Sequence, residues 1–112
     1  MKIVKVTYTV KQSFAKKNLE NVKAFISDLS KIDNPDLLYN AFLGKDGATF
    51  YHMAIYRSDD AQKILFGLPS FQSFQKQRDD SGLEVSPKIE ELELIASTSD
   101  IFKTQEAWQR NR

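Results

Sequence analysis

Residues 37–57 read Leu-Leu-Tyr-Asn-Ala-Phe-Leu-Gly-Lys-Asp-Gly-Ala-Thr-Phe-Tyr-His-Met-Ala-Ile-Tyr-Arg, and this stretch decides the fold. Two apolar runs, 37–43 and 48–57, flank a loop at 44–47. The Asp-Gly dipeptide of that loop tolerates the positive φ angles that tight hairpin turns require. The stretch therefore predicts two antiparallel strands joined by a hairpin turn.

The second of these strands is largely apolar on both faces. An antiparallel sheet with one solvated face would instead alternate apolar and polar residues. We expect the chain's own helices to cover one face and a second copy of the chain to cover the other, since large exposed apolar surfaces mark interaction sites. One face carries Phe50, His52, Ala54 and Tyr56, and the other carries Tyr51, Met53, Ile55 and Arg57.

The N-terminal third predicts a strand followed by a helix. Residues 2–11 alternate with the period of a strand. Between 18 and 32, apolar residues recur every three or four positions, which indicates a helix. We expect Asn18 to be its N-cap and the proline-containing segment 33–36 to end it. The strand places Val4, Val6, Tyr8 and Val10 on one face.

The C-terminal half predicts a broken helix and a last strand. Ser58, followed by two aspartates, is typical of a helix start. The Gly-Leu-Pro sequence at 67–69 breaks this helix, because glycine suits a left-handed cap and proline cannot continue the ladder. A further helical segment follows from Ser70. After a loop at 79–82, residues 88–97 predict the last strand, with Leu92, Leu94 and Ala96 in phase.

The element order is β-α-β-β-α-β, which is the ferredoxin-like arrangement of an α+β domain with a four-stranded antiparallel sheet. We assign this single domain to residues 1–98. Residues 99–112 form a C-terminal tail. Within the tail, Ile101, Gln105 and Trp108 would share one face of a short helix.

The composition excludes several function classes. A net charge of +1, from 16 Lys and Arg against 15 Asp and Glu, gives no basic footprint for nucleic acid. No apolar run approaches the roughly 20 residues that span a membrane. With no cysteine and one histidine, disulfides are excluded, and a zinc or other transition-metal site is not expected. The lack of disulfides fits a cytoplasmic location. No glycine-rich nucleotide cradle is present, and we predict no bound cofactor.

Three polar aromatic residues are the candidate catalytic groups. His52 is either a core or interface histidine with satisfied nitrogens, or a neutral imidazole that faces a pocket as hydrogen-bond partner or base. Tyr8 and Tyr56 could reach the same space from neighbouring strands, or pack simply with the hydroxyl at the rim. Phe66, Phe71 and Phe74 of the broken helix would line an apolar substrate pocket, or else belong to the core.

Three passages, together with the element order, resemble a known family. They are Met-Ala-Ile-Tyr-Arg-Ser-Asp-Asp-Ala at 53–61, Gly-Leu-Pro-Ser-Phe-Gln-Ser-Phe at 67–74 and Ser-Thr-Ser-Asp-Ile-Phe at 97–102. They are similar to the antibiotic biosynthesis monooxygenase-like proteins of the dimeric α-β barrel superfamily. The resemblance implies a homodimer whose two sheets face each other, with a pocket between sheet and helices in each subunit.

The resemblance also implies chemistry. Some members of the family oxidise polycyclic aromatic quinols with oxygen and no prosthetic group, whereas others degrade haem with an Asn, a Trp and a His. This chain has Tyr56 in place of the tryptophan, Gln75 or a neighbour in place of the histidine, and Thr7 or Tyr8 in the region of the asparagine. The haem-degrading set is therefore not matched. The family's Glu-x-Trp strand ending reads Ala-Ile-Tyr at 54–56, without the glutamate.

Two functional hypotheses follow. The first is a cofactor-independent oxygenase or related enzyme acting on a small aromatic substrate, with Tyr8, His52 and Tyr56 positioning the substrate or moving a proton. The alternative is a non-catalytic homodimer that holds a small apolar or aromatic ligand in the same cavity. A third, structural interpretation assigns all the aromatic residues to core and interface and leaves no cavity.

Overall fold

A computed structural model describes residues 1–98 of the 112-residue chain. The predicted tail helix at 99–112 lies outside the described residues. Seven elements follow one another, with the second helical region divided in two. They are β1 (Lys2–Thr9), α1 (Gln12–Ile32), β2 (Leu37–Leu43), β3 (Thr49–Tyr56), α2 (Asp59–Gly67), α3 (Pro69–Asp80) and β4 (Val85–Leu92).

The four strands form one antiparallel sheet in the order β2-β3-β1-β4. This confirms the ferredoxin-like α+β architecture. The register pairs Val6 of β1 with His52 of β3, and Tyr39 of β2 with Ala54 of β3. Because directly paired residues point to the same side of a sheet, all four side chains share one face.

The hairpin between β2 and β3 is confirmed, and its turn follows from local chemistry. Gly47 has a φ of 75°, in the left-handed region that glycine adopts without steric cost. The carboxylate of Asp46 accepts hydrogen bonds from the backbone N–H groups of Ala48 (3.0 Å) and Thr49 (2.8 Å). Together these features fix the turn and, with it, the register of the two strands.

The predicted start of α1 at Asn18 is wrong. The helix begins at Gln12, its N-cap is Lys11, and Asn18 lies inside the helix with 0% of its surface exposed. The apolar stripe of the helix extends back to Phe14, which packs against the core. This tertiary contact stabilises additional turns that local capping signals do not reveal. The helix ends as predicted, with Asp33 in a left-handed conformation.

The predicted break between α2 and α3 is confirmed, although its geometry differs. The Ser58 hydroxyl oxygen accepts a hydrogen bond from the Ala61 N–H (3.2 Å), as expected of an N-cap. The left-handed cap at Gly67 is wrong, because α2 ends in an extended Leu68 and Gly67 has no positive φ. Pro69 occupies the first position of α3, where its missing N–H has no intrahelical partner to lose.

The last strand is displaced from the predicted range of 88–97. It runs from Val85 to Leu92, and Ile95 is exposed. The register explains the difference, since Ile3 pairs with Leu92 and β1 has almost no residues left to pair beyond that point. Pro87 is tolerated because β4 lies at the sheet edge.

The helices cover one face of the sheet and build the core there. Three rows cross the opposite face, which we call the open face, and the row nearest the hairpin turn contains Phe42, Tyr51, Thr7 and Lys88. The apolar row contains Leu38, Ile55, Ile3 and Leu92, one from each strand. The middle row contains Asn40, Met53, Lys5 and Glu90. The open face is thus apolar at one end and mixed beyond it, because β1 and β4 contribute charged residues. The core on the covered face includes Tyr8, Val22, Phe25, Leu29, Phe50, Ala54, Tyr56, Ala61, Leu65, Phe71 and Phe74.

Candidate functional site

A pocket of about 290 Å³ lies between the covered face of the sheet and helices α2 and α3. This volume is near the lower end of the range for small-molecule sites. Val4, Val6 and Ala54 form part of its lining from the central strands. A cavity therefore exists where the sequence predicted one, and the interpretation without a cavity is wrong.

The aromatic residues of the broken helix line this pocket to different extents. Phe71 and Phe74 are buried, and their ring centroids lie 5.9 Å apart. Phe66 also lines the pocket, but 50% of its surface is exposed. It stacks on Phe71 at 6.1 Å between ring centroids. Phe71 and Phe74 thus form buried wall, whereas Phe66 lies at the rim.

His52 is buried on the pocket side of β3 with 2% of its surface exposed. Its Nε2 atom lies 2.8 Å from the Tyr8 hydroxyl, and its Nδ1 atom lies 2.7 Å from the Tyr39 hydroxyl. Burial, and to a smaller degree the positive charge of Arg78, lower the pKa of His52 to about 4. The imidazole is therefore neutral near pH 7 and held at both nitrogens.

The tyrosines around His52 are all weak acids. Burial raises the pKa values of Tyr8 and Tyr39 well above that of an ordinary phenol, and it raises the pKa of Tyr56 to about 12. Tyr56 lines the pocket, and among the described residues its hydroxyl has no hydrogen-bond partner. The site thus offers neutral hydrogen-bonding groups near pH 7 rather than a phenolate.

Asn18 extends this set of polar groups into the core. Its Nδ2 atom donates a hydrogen bond to the Tyr8 hydroxyl at 2.9 Å. Its Oδ1 atom is buried without a hydrogen-bond partner among the described residues. Asn18, Tyr8, His52 and Tyr39 therefore form one continuous chain of hydrogen bonds, which we call the polar chain.

Arg78 brings a buried positive charge to the same pocket. Only 9% of its surface is exposed, and its guanidinium carbon lies 5.1 Å from the ring centre of Tyr8 and 5.4 Å from that of Phe74. Its Nε atom donates to a carboxylate oxygen of Asp79 at 2.9 Å. Within residues 1–98 the two terminal nitrogens have no such partner, so the guanidinium can donate to an oxygen in the pocket.

The structure brings the sequence-predicted groups together and adds others. Tyr8, His52 and Tyr56 all line one pocket, and Tyr8 contacts His52 directly. Sequence reasoning missed three polar-chain and pocket residues. Two of them have a readable signal: Asn18 continues the α1 stripe of Phe14, Val22 and Phe25, and Arg78 continues the α3 stripe of Phe71 and Phe74. Tyr39 could have been found by counting strand phase from the hairpin turn.

The described residues provide neither a metal-binding cluster of acidic and histidine side chains nor a free imidazole for haem iron. Among residues 1–98, no group of three His, Asp or Glu side chains converges to bind a metal ion. His52 is the chain's one histidine, and both of its nitrogens contact tyrosine hydroxyls, so it offers no free nitrogen to iron. In the same range, no helix is long and apolar enough to cross a membrane.

The three-dimensional arrangement is similar to several solved structures. A protein from Bacteroides thetaiotaomicron, provisionally named an antibiotic biosynthesis monooxygenase, matches with a TM-score of 0.73 and 14% identity, covering 88% of this chain and 92% of that one. A protein of the same provisional name from Caulobacter crescentus matches with a TM-score of 0.70 and 21% identity, covering 85% and 90%. A third protein of the same provisional name, from Nitrosomonas europaea, matches with a TM-score of 0.71 and 12% identity, covering 86% of this chain and 100% of that one.

At the level of sequence, no protein-family model matches the chain, and a search of curated proteins found no match. TM-scores of 0.70 to 0.73 over most of each chain establish a shared fold, and at identities of 12% to 21% they establish the fold alone. The chain therefore has the ferredoxin-like α+β fold of proteins named antibiotic biosynthesis monooxygenases.

Proposed function

We propose that this protein is an antibiotic biosynthesis monooxygenase-like enzyme, which oxidises a small aromatic substrate in this pocket without a cofactor. The observation that carries the proposal is the pairing of apolar walls with one polar end. The walls include Phe71 and Phe74, and the polar end contains Arg78 and the polar chain. An aromatic ring bearing an oxygen substituent complements both parts.

The walls favour a flat apolar ring over a polar ligand. Phe71, Phe74 and Leu65 are nearly inaccessible to water, and ring faces in contact add to the gain from apolar burial. Val4, Val6 and Ala54 bring no hydrogen-bonding side chains to the lining. A ligand made only of polar groups would lose its hydration without replacement on these surfaces.

Arg78 supplies the electrostatic part of the proposed reaction. A guanidinium with two unpaired terminal nitrogens favours the ionised form of a nearby phenol, because an adjacent positive charge lowers the pKa of an acid. A phenolate is electron-rich enough to react with molecular oxygen. In the balanced reaction, phenol and O₂ give quinone and water. The phenol loses its O–H hydrogen and one ring C–H hydrogen, and both carbons become C=O. One atom of O₂ enters the ring, the other leaves as water with those two hydrogens, and the substrate supplies all four electrons.

Tyr8, His52 and Tyr56 position the substrate in this proposal. His52 is a weak base because its pKa is about 4, and both of its nitrogens are already engaged. It therefore acts by fixing the tyrosine hydroxyls on either side of it. Tyr56, with a free hydroxyl on the pocket, contacts the substrate directly.

Oxygen consumption tests the proposal. A naphthol, which carries a single hydroxyl, is incubated with the protein under isotopically labelled oxygen, and the spontaneous rate is subtracted. We expect oxygen uptake and one labelled atom in the quinone product. Arg78→Met should reduce the rate at least tenfold, since the developing anion loses its counter-charge. Lys5→Met, a matched change on the open face, should leave the rate unchanged.

The second candidate is a non-catalytic binding protein. It is favoured by the state of His52, which leaves the pocket without an imidazole able to take a proton near neutral pH. This candidate predicts saturable binding of the same aromatic compounds, measured by calorimetry, with no oxygen uptake above the spontaneous rate. Labelled product formed by the wild-type protein and lost in Arg78→Met excludes it.

We also propose that the protein is a homodimer, in which the apolar rows of two open faces contact each other. The support is the apolar composition of that row, in which Leu38 and Leu92 (38% exposed) lie on the two edge strands, with Ile55 and Ile3 (each 6% exposed) between them. Introducing charge there, as in Leu92→Asp, should weaken association. Light scattering at micromolar concentration should give the mass of two chains for the wild type, and a single-chain mass would exclude the dimer. A cytoplasmic location remains a prediction.

A further inference from the structure

The polar chain has a direction, which starts at Asn18. If its amide nitrogen faces Tyr8, one carbonyl oxygen and one N–H remain without a partner. If its oxygen faced Tyr8, both N–H groups would remain without one. Buried N–H groups without acceptors are rarer in proteins than under-satisfied carbonyls. The first arrangement is the one in the structure, where Nδ2 lies 2.9 Å from the Tyr8 oxygen.

This donor determines what Tyr8 does. A phenolic hydroxyl carries a single hydrogen. Because its oxygen accepts from Asn18, that hydrogen is directed to the other neighbour, Nε2 of His52 at 2.8 Å. Nε2 must then be the unprotonated nitrogen of the imidazole.

The tautomer of His52 follows. A neutral imidazole has one N–H, and with Nε2 accepting, that hydrogen lies on Nδ1. Nδ1 donates to the Tyr39 oxygen at 2.7 Å. The hydrogen of Tyr39 is then left with no acceptor among the described residues, although Tyr39 lines the pocket.

We propose that the Tyr39 hydroxyl is a hydrogen-bond donor to the ligand, and that the ligand presents an oxygen acceptor, a carbonyl or phenolate oxygen, to it. The inference rests on the proposed aromatic-binding function and adds the polar group that the ligand must carry. Arg78 lies in the same pocket with free terminal nitrogens and can only donate, and the Tyr39 hydroxyl brings an unpartnered hydrogen to the same pocket. This end of the pocket selects for ligands that accept hydrogen bonds.

The tautomer can be measured directly, because His52 is the single histidine of the chain. In protein labelled with ¹⁵N at histidine, two-bond proton–nitrogen correlations at pH 7 distinguish the protonated from the unprotonated ring nitrogen. We expect the proton on Nδ1. A proton on Nε2 would reverse the whole chain, turn the Tyr39 oxygen into an acceptor, and overturn the inference.

A matched pair of ligands tests the consequence. Naphthalene with an acetyl group and naphthalene with an isopropenyl group have the same shape, but the acetyl compound alone has an oxygen acceptor. In the wild type the acetyl compound should bind about threefold to tenfold more tightly, the worth of one hydrogen bond. Tyr39→Phe should reduce this preference, and what remains is the share supplied by Arg78. Tyr51→Phe, a matched change on the open face, should preserve it.

The outcomes separate this inference from the proposed function. Equal binding of both compounds to the wild type contradicts the inference and leaves the aromatic-binding function in place. An acetyl preference that is unchanged in Tyr39→Phe also overturns the assignment of Tyr39 as the donor. Binding of neither compound contradicts the proposed function, and with it this inference.

Discussion

The two faces of the sheet carry similar numbers of large side chains but are organised differently. On the covered face, aromatic rings surround a chain of hydrogen-bonded polar groups. The ring of Phe25, for example, contacts those of Tyr39, His52 and Phe71. On the open face, an apolar row lies beside a middle row that contains Lys5 and a glutamate. Both faces mix apolar and polar residues, but only one encloses its polar groups.

The difference shows where polarity has energetic consequences. A buried polar group that loses its partner costs far more than an exposed one, because water cannot replace the missing hydrogen bond. Polar residues on the covered face therefore depend on neighbours or on a ligand for their hydrogen bonds, whereas Lys5 can be hydrated. Equivalent substitutions on the two faces should consequently have very different effects.

The largest difference is expected for aromatic truncation. Phe25→Ala removes a buried ring in contact with Tyr39, His52, Phe71 and Phe74, and it should lower the free energy of unfolding by about 3–5 kcal/mol. Tyr51→Ala on the open face should cost much less. Urea denaturation of both variants at one protein concentration measures this. Equal losses would mean that the open face is enclosed as fully as the covered one.

Removing one hydroxyl gives a finer comparison. Tyr8→Phe leaves both the Asn18 donor and His52 Nε2 unpaired in the core, which should cost about 1–3 kcal/mol. Tyr51→Phe should change the free energy of unfolding by less than about 0.5 kcal/mol. If thermal denaturation shows that Tyr8→Phe and Tyr51→Phe lower the free energy of unfolding equally, the hydrogen bonds of the polar chain contribute nothing to stability beyond packing.

Acid should act on the covered face through His52. The folded pKa of about 4 lies below the unfolded value of 6.5, so the unfolded chain binds the proton first as pH falls. Stability that is fully present above pH 6.5 is therefore lost progressively down to about pH 4, with a loss of about 2 kcal/mol between pH 7 and pH 5. The His52→Gln variant cannot titrate there. Urea denaturation of both proteins isolates this contribution, and identical pH slopes would contradict the buried, neutral state.

Much of the fold could be predicted from local sequence because its signals are local. The Asp-Gly turn, the serine cap of α2 and the proline break are determined by neighbouring residues. The start of α1 and the end of β4 could not be predicted in this way. Phe14 is helical because it reaches the core, and β4 ends where β1 runs out of partners.

The site was predictable to the extent that it follows strand phase. Tyr8, His52 and Tyr56 fall on one face by alternation, and β pairing then brings them together. Asn18 and Arg78 come from helices whose rotation over the sheet depends on packing along their whole length. The sequence carries a polar residue in each apolar stripe, but nothing local shows that both approach Tyr8.

The smallest expected effect on stability is that of Lys5→Met, and it shows how far the proposed contact between two copies extends across the open face. Lys5 lies in the middle row with its Nζ atom 5.8 Å from the ring centre of Tyr51, a half-buried cation–π contact worth about 1 kcal/mol. If two copies meet through the apolar row alone, Lys5→Met should lower the free energy of unfolding by no more than this amount. The loss should then be the same at low and at high protein concentration. A larger change that grows with concentration would place Lys5 inside the contact. The middle row would then be enclosed as well, and its Lys5 and Glu90 would have to pair across strands to offset their lost hydration.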